Sequence, residues 1–472
     1  MLMAKPMSGA SRLVAPRLAA LAAATVCLLV LLSGCSAGFA ARTLEARHAL
    51  DEHRPNDALA LLNEELGVDN ADQLPAKTGG DAALLLLDRA MVLQQLDRYE
   101  LSSRDLQTAD KQIELLDFSR STSDDLGRYM FSDDVGEYRA PAYEKLMINT
   151  VNIGNYLVRG DLNGARVESR RLAVMQKYLA DHESQGASLT GLGSYLAGFT
   201  FEKSGEAQEA LRYYDQALQY GMYPSLVEPV RRLARRASYR TPRLSELIGE
   251  EPVGTEVTFE GTNAASAPPA DPTEILVLVS YGRVPAKHAE RVPIGLALTW
   301  AASDMAPSQH AMASRLAAQG LVTWINYPEI ERSRGQFSVP SVALDGRAVP
   351  AEGVLAVDLE SRKAWEEAKG AITAAAITRM ITRIVAGEAV RKASGEGAVG
   401  LLLSLGTQAT LTAADTPDTR SWATLPARVA IVRMRVAPGT HWIDVYARGI
   451  GKRQRVDVAP GSFAVVNLTV LS

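Results

Sequence analysis

From about Ala40 to Arg243, apolar residues recur at helical spacing and strand signal is nearly absent. The clearest stretch runs Gly198-Phe-Thr-Phe201, Gly205, Ala210, Tyr214, Ala217-Leu218. Small residues at Gly198, Ala210 and Ala217 predict a close approach of two antiparallel helices. Phe201 and Tyr214 fill the gap between them, and Gly205 relaxes the turn. Weaker inter-helix turns are read at Arg54-Pro-Asn-Asp-Ala58, Leu96-Asp-Arg-Tyr99-Glu100 and Gly160-Asp161. The largest interruption, Phe118 to Tyr143, carries the polar run Ser119-Arg-Ser-Thr-Ser-Asp-Asp125.

The period changes past Pro242. Gly261 to Pro272, rich in Ala, Pro, Ser and Asn, reads as a linker. Strands are predicted at Glu274–Tyr281, Leu321–Asn326, Val339–Leu344 and Val354–Leu359, and a helix from about Lys363 to Lys392. On that helix Ile377, Met380, Ile381, Ile384 and Val385 form an apolar stripe, with Arg379 and Arg383 on the other face. The tail alternates over Ala427–Val436, His441–Tyr446, Arg453–Val458 and Phe463–Val470. Pro-Gly turns at 438–439 and 460–461 suggest an antiparallel meander in a sandwich-like layer.

The first residues change the picture. Lys5, Arg12 and Arg17 precede the apolar stretch Leu18–Leu32, and Leu32-Ser33-Gly34-Cys35 has the form of a lipobox. We therefore expect residues 1–34 to be a lipoprotein signal peptide and Cys35 the lipidated residue; an ordinary signal cut at another small residue is the alternative. The division expected is 35–245 helical, 246–273 linker and 274–472 α+β. The fold class is thus multidomain α+β: an N-terminal α-helical superhelix, then a β-rich, antiparallel, sandwich-like domain with a long helix.

Charge and cysteine content narrow the function. The chain carries a net charge of −4; removing Lys5, Arg12 and Arg17 leaves −7, which argues against a nucleic-acid partner. The only cysteines are Cys27, inside the signal, and Cys35, so no disulfide, thiolate metal site or cysteine nucleophile is expected in the mature chain.

The spacing at Gly198–Leu218 resembles the tetratricopeptide repeat (TPR), a generic αα-hairpin being the alternative. Three strings, Tyr138–Asn149, Gly282–Arg291 and Ala414–Pro426, together resemble a family of uncharacterised TPR-bearing bacterial envelope lipoproteins. That resemblance implies architecture and place, with no reaction or ligand attached. The absence of Asp at Ser36 is similar to Gram-negative lipoproteins destined for the outer membrane, so an outer-membrane anchor facing the periplasm is expected.

No HExxH, Gly-x-Ser-x-Gly, Ser-x-x-Lys or phosphate-binding loop occurs among the residues, so we expect no enzyme, no cofactor and no metal site. A hydrolase would require an acid and a base brought together by the fold. Arg231, Arg232, Arg235 and Arg236 fall on one helical stripe, suited to an acidic partner or headgroup phosphate, or else a solvated face with intrachain ion pairs. Tyr138, Arg139, Tyr143 and Glu144 combine residue types favoured at interfaces, or pack in the core. In the third string, centred on Asp415, Asp418, Arg420 and Trp422, an Asp/Arg ion pair locking a loop onto the β layer, with Trp422 as a core plug, explains the residues without a ligand. Lys287 and Arg291 are either a binding edge or exposed charge. The functional expectation is a lipid-anchored periplasmic scaffold that binds envelope proteins through a TPR-like groove. The alternative is a glycan or envelope-polymer binding module in the β domain.

Overall fold

The computed structural model describes residues 38–118, 138–182, 189–249, 272–320, 322–332, 337–393 and 416–472, so the expected signal peptide 1–34, Cys35, Asp415 and the 250–271 part of the expected linker lie outside the described residues. The chain is mixed α/β, with helices in the N-terminal half and sheets in the C-terminal region. The helices are α1 Phe39–Arg42, α2 Leu44–Asp51, α3 Pro55–Glu65, α4 Asp81–Gln95, α5 Tyr99–Phe118, α6 Ala142–Val158, α7 Leu162–His182, α8 Thr190–Lys203, α9 Ala207–Tyr220, α10 Val227–Ala234 and α11 Pro242–Ile248.

One turn recurs between helices. His53, Asp97, Gly160 and Gly205 each have φ between 57° and 79°, and each turn joins a helix pair. In each, the following N–H reaches back five residues: Arg54 to Ala49, Arg98 to Leu93, Asp161 to Tyr156 and Glu206 to Phe201, at 2.8–2.9 Å. This Schellman arrangement satisfies carbonyls that the end of a helix leaves open. All four turns lie where the sequence places them. The wider interval from Asp97 to Gly160 contains residues 119–137.

The predicted contacts of the α8–α9 hairpin are present. A Cβ on Gly198 would stand 2.4 Å from the Tyr214 ring, so only glycine admits that ring. Phe201 stacks on Tyr213 at 5.2 Å between centroids, and Ala210 and Ala217 are buried.

The remaining elements are β1 Glu274–Tyr281, β2 Lys287–Pro293, α12 Ile294–Trp300, α13 Pro307–Ala318, β3 Trp324–Ile330, β4 Ser341–Leu344, β5 Arg347–Val349, β6 Glu352–Ala356, α14 Val357–Ala393, β7 Arg428–Arg435, β8 Gly439–Ala447, β9 Ile450–Val458 and β10 Phe463–Val470. They form a central sheet β10-β1-β7-β6, an outer sheet β5-β4-β8-β9 and a ribbon β2-β3.

The tail is therefore not the expected meander. β7 and β10 belong to the central sheet, with β10 parallel to β1, while β8 and β9 lie in the outer sheet. The physical reason is burial on two sides. Ile275, Val277, Ala430, Val432 and Val466 pack with Val342, Ile443 and Val445 of the outer sheet. The alternate residues Leu276, Leu278, Val429, Ile431 and Val465 join the core of the helices. Helices, central sheet and outer sheet thus make three layers. The two expected domains share one core.

α4, α6 and α8 are buried along nearly their whole length. α4 and α6 pack against β10, and Phe199 of α8 meets Phe463 edge-on at 5.4 Å. A third core gathers β2, β3, α12, α13 and α14 around Val292, Leu298, Ile325, Tyr327, Trp365 and Ile377. On α14, Arg379 and Arg383 are buried alongside Ile377, whereas Val385 is exposed. The expected division into an apolar and a charged face is thus corrected: the long arginine stems pack inward with the apolar stripe.

Candidate functional site

The sequence-derived candidates separate into buried and exposed groups. Glu144, in the first turn of α6, is fully buried. It accepts hydrogen bonds from the Tyr138 hydroxyl, from the Tyr143 hydroxyl at 3.1 Å and from the Trp422 backbone N–H at 3.0 Å. Burial raises its pKa, and the hydrogen bonds and Lys287 only partly oppose this. Tyr138 and Tyr143 are buried with it, so their rings are core packing and not a surface; Arg139 is exposed.

The three strings singled out in the sequence meet here. Val284 N–H donates to Leu425 O at 2.9 Å, Ala427 N–H to Gly282 O at 3.3 Å, and the Arg420 guanidinium lies 5.9 Å from the Tyr138 ring. Arg420 grips Asp418 through two 2.8 Å hydrogen bonds, and Trp422 is completely buried, as the ion-pair and core-plug reading expects. Beside this junction Asp88 accepts the N–H and hydroxyl of Thr424 at 3.0 and 2.9 Å. Burial pushes the Asp88 carboxyl up to about 7, against those hydrogen bonds. The N-terminal end is pinned to the same place: Ala40 N–H donates to Thr419 Oγ1 at 3.2 Å, and Arg283 binds Asp51 at 2.7 Å.

The arginine stripe does not stay together. α10 ends at Ala234, placing Arg235 at its C-terminal cap and Arg236 beyond it. Arg231, Arg235 and Arg236 are exposed, with Arg240 near them in the chain. Arg231 Nε donates to Leu247 O at 2.8 Å, and Arg240 caps the end of α10 through the Ala234 carbonyl and also donates to Ala237 O at 2.8 Å. Cations at a helix C-terminus are favoured by its dipole. Arg232 points the other way, into the core, and pairs with Glu202.

That pair belongs to a buried cluster joining helices to sheet. Arg433 of β7 bridges Glu202 and Glu274 at 2.7 Å each, and donates to the Tyr214 hydroxyl at 3.0 Å. Tyr214 donates to Glu202 at 2.6 Å, and Lys203 pairs with Glu274. Burial alone would raise the Glu202 pKa; Arg433, Lys203 and Arg232 overcome it and hold the carboxylate well below its ordinary range. Three cations over two anions leave no unpaired negative charge in this interior.

The outer sheet presents a face that the sequence reading did not single out. Trp442 and Tyr446 point outward from β8 and are 42% and 53% exposed. The strand register sets Trp442 opposite Arg455, Asp444 opposite Arg453 and Tyr446 opposite Gly451. The Arg453 guanidinium lies 4.9 Å from the centre of the Trp442 ring and 3.5 Å from Asp444. The available signal was the alternation of His441–Tyr446, which puts both rings on one side of the strand. Among the described residues, no group of three His, Cys, Asp or Glu side chains converges to hold a metal ion, and no helix is long and apolar enough to cross a membrane.

The chain matches no protein-family model, and no curated protein matches it.

Proposed function

We propose that this chain is a lipid-anchored envelope adaptor, held at the outer membrane through Cys35 and facing the periplasm, that recruits an acidic protein partner. The helical half is read as a degenerate TPR array on the strength of its four like turns and the Gly198–Tyr214 contact. The inner helices α4, α6 and α8 are already covered by the central sheet, so the partner surface of this adaptor is not their groove. It is instead the exposed basic end of the array. The observation that carries the reading is the cluster Arg231, Arg235, Arg236 and Arg240, standing out from a chain whose net charge is negative.

In-cell crosslinking followed by purification tests it. The Arg231→Glu/Arg235→Glu/Arg236→Glu protein is expected to keep its melting temperature within about 2 °C and to lose a partner that the native protein retains. A partner retained at full yield by that variant would rule the basic end out. Arg232 has to be left intact, because Arg232→Ala strips a buried cation from Glu202. That change is expected to cost roughly 3 kcal/mol or more in denaturant unfolding.

A further inference from the structure

We propose that the outward face of the outer sheet is a binding platform for a neutral glycan strand. The inference is separate from the adaptor reading and uses other residues. On this face the side chains of β8 and β9 alternate ring and charge: Trp442, Asp444 and Tyr446 on one strand, Arg453, Arg455 and Asp457 on the next. Four residues of strand separate the two rings, about 13 Å, the span of a short oligosaccharide.

Around Tyr446 the floor is low. Gly451 lies opposite Tyr446, and a Cβ there would meet the Tyr446 ring at 3.5 Å. Ser341 and Ala343 of β4 stand opposite Tyr446 and Asp444 on the other side. Tyr446 thus rises above small neighbours, and Trp442, opposite Arg455, is steadied by the Arg453 guanidinium 4.9 Å from its ring centre; both are plates held at low entropic cost.

The polar groups decide what such plates hold. Arg453 is paired with Asp444 at 3.5 Å and Arg455 with Asp457 at 3.4 Å, so donors and acceptors are interleaved and their charges cancel. A polyanion needs cations without partners, which this face does not offer. An apolar protein surface needs continuous apolar area, and here the rings are separated by exposed ion pairs. A saccharide presents both an apolar C–H face for a ring and hydroxyls that donate to Asp444 or Asp457 and accept from Arg453 or Arg455. That combination matches the platform.

The test is calorimetric titration of the full-length chain with neutral β-linked tetramers of N-acetylglucosamine, glucose and mannose. At least one tetramer is expected to bind, with affinity falling tenfold or more in Trp442→Ala and about threefold in Tyr446→Ala. Trp324→Ala, which removes another exposed tryptophan outside this sheet, is expected to leave binding unchanged. Both platform residues are exposed, so the variants should fold, and an unchanged melting curve checks this. No binding of any tetramer, or binding unaltered by Trp442→Ala, overturns the proposal. Binding confined to a sulfated polymer and abolished by salt overturns it in favour of an anion site.

Discussion

Asp88 shows how burial turns one side chain into a pH-dependent element of stability. Its carboxyl ordinarily ionises near 3.8; in the folded chain, desolvation moves that to about 7. Between those values the folded state holds a proton that the unfolded chain has released, so this group's contribution is present below about pH 4 and is lost as pH rises toward 7. The slope is at most roughly 1.4 kcal/mol per pH unit. Asp88→Asn keeps the acceptor for Thr424 but cannot ionise. Its denaturant midpoint should therefore vary less between pH 4 and 7 than that of the native chain, and equal slopes would refute the assignment. Nothing in the sequence marks Asp88, because its shift comes from burial that only the fold supplies, in a junction closed by Thr424, 336 residues away. Glu144 is marked, yet that its tyrosine neighbours face the core is set by the fold, which brings the Trp422 N–H to Glu144 from 278 residues away. The arginine stripe failed for a related reason. Helical periodicity placed Arg232 beside Arg231, but only the fold supplies Glu202 as its buried partner.

At the level of elements, turns were the most legible feature. A left-handed residue between two helices is a local requirement, and His53, Asp97, Gly160 and Gly205 meet it with little help from the rest of the chain. The α8–α9 crossing was legible too, since small residues across from aromatics specify a close approach. Gly198→Ala tests that crossing: the added methyl meets the Tyr214 ring at 2.4 Å. Overpacking of this kind is expected to cost about 1–3 kcal/mol, read as a lower urea midpoint. Combining it with Tyr214→Phe should not rescue the loss, because the ring carbons and not the hydroxyl make the contact. Strand pairing was less legible. The alternation in β7 through β10 locates strands, but both faces of β7 and β10 are apolar enough to be covered, and pattern alone does not say which sheet receives each strand. β2, α12 and α13 carry no strong period and went unread; they are held by a core of their own.

For the whole molecule, the shared core matters more than the boundary read from composition. Leu276, Leu278, Val429, Ile431 and Val465 share one buried core with the helices that precede them in the chain. The buried ions reinforce the joint, since separating sheet from helices would leave Glu202 without Arg433 and Glu274 without Lys203. A protease site engineered between Gly249 and Pro272 should therefore yield two fragments that co-elute on gel filtration and separate only in denaturant. Fragments that part in plain buffer would show that each half is a self-sufficient domain.

The pinning of Ala40 to Thr419 has a consequence for reach. Three residues of chain lead from Cys35 to Gly38, at most about 11 Å when fully extended. With Cys35 embedded in a bilayer, that leash is too short for the body to roam. The protein would then search in two dimensions, among neighbours fixed to the same surface, and its encounters would be set by lateral diffusion and local crowding. Under such confinement modest contacts suffice, because the effective concentration of a co-anchored neighbour stands in for intrinsic affinity.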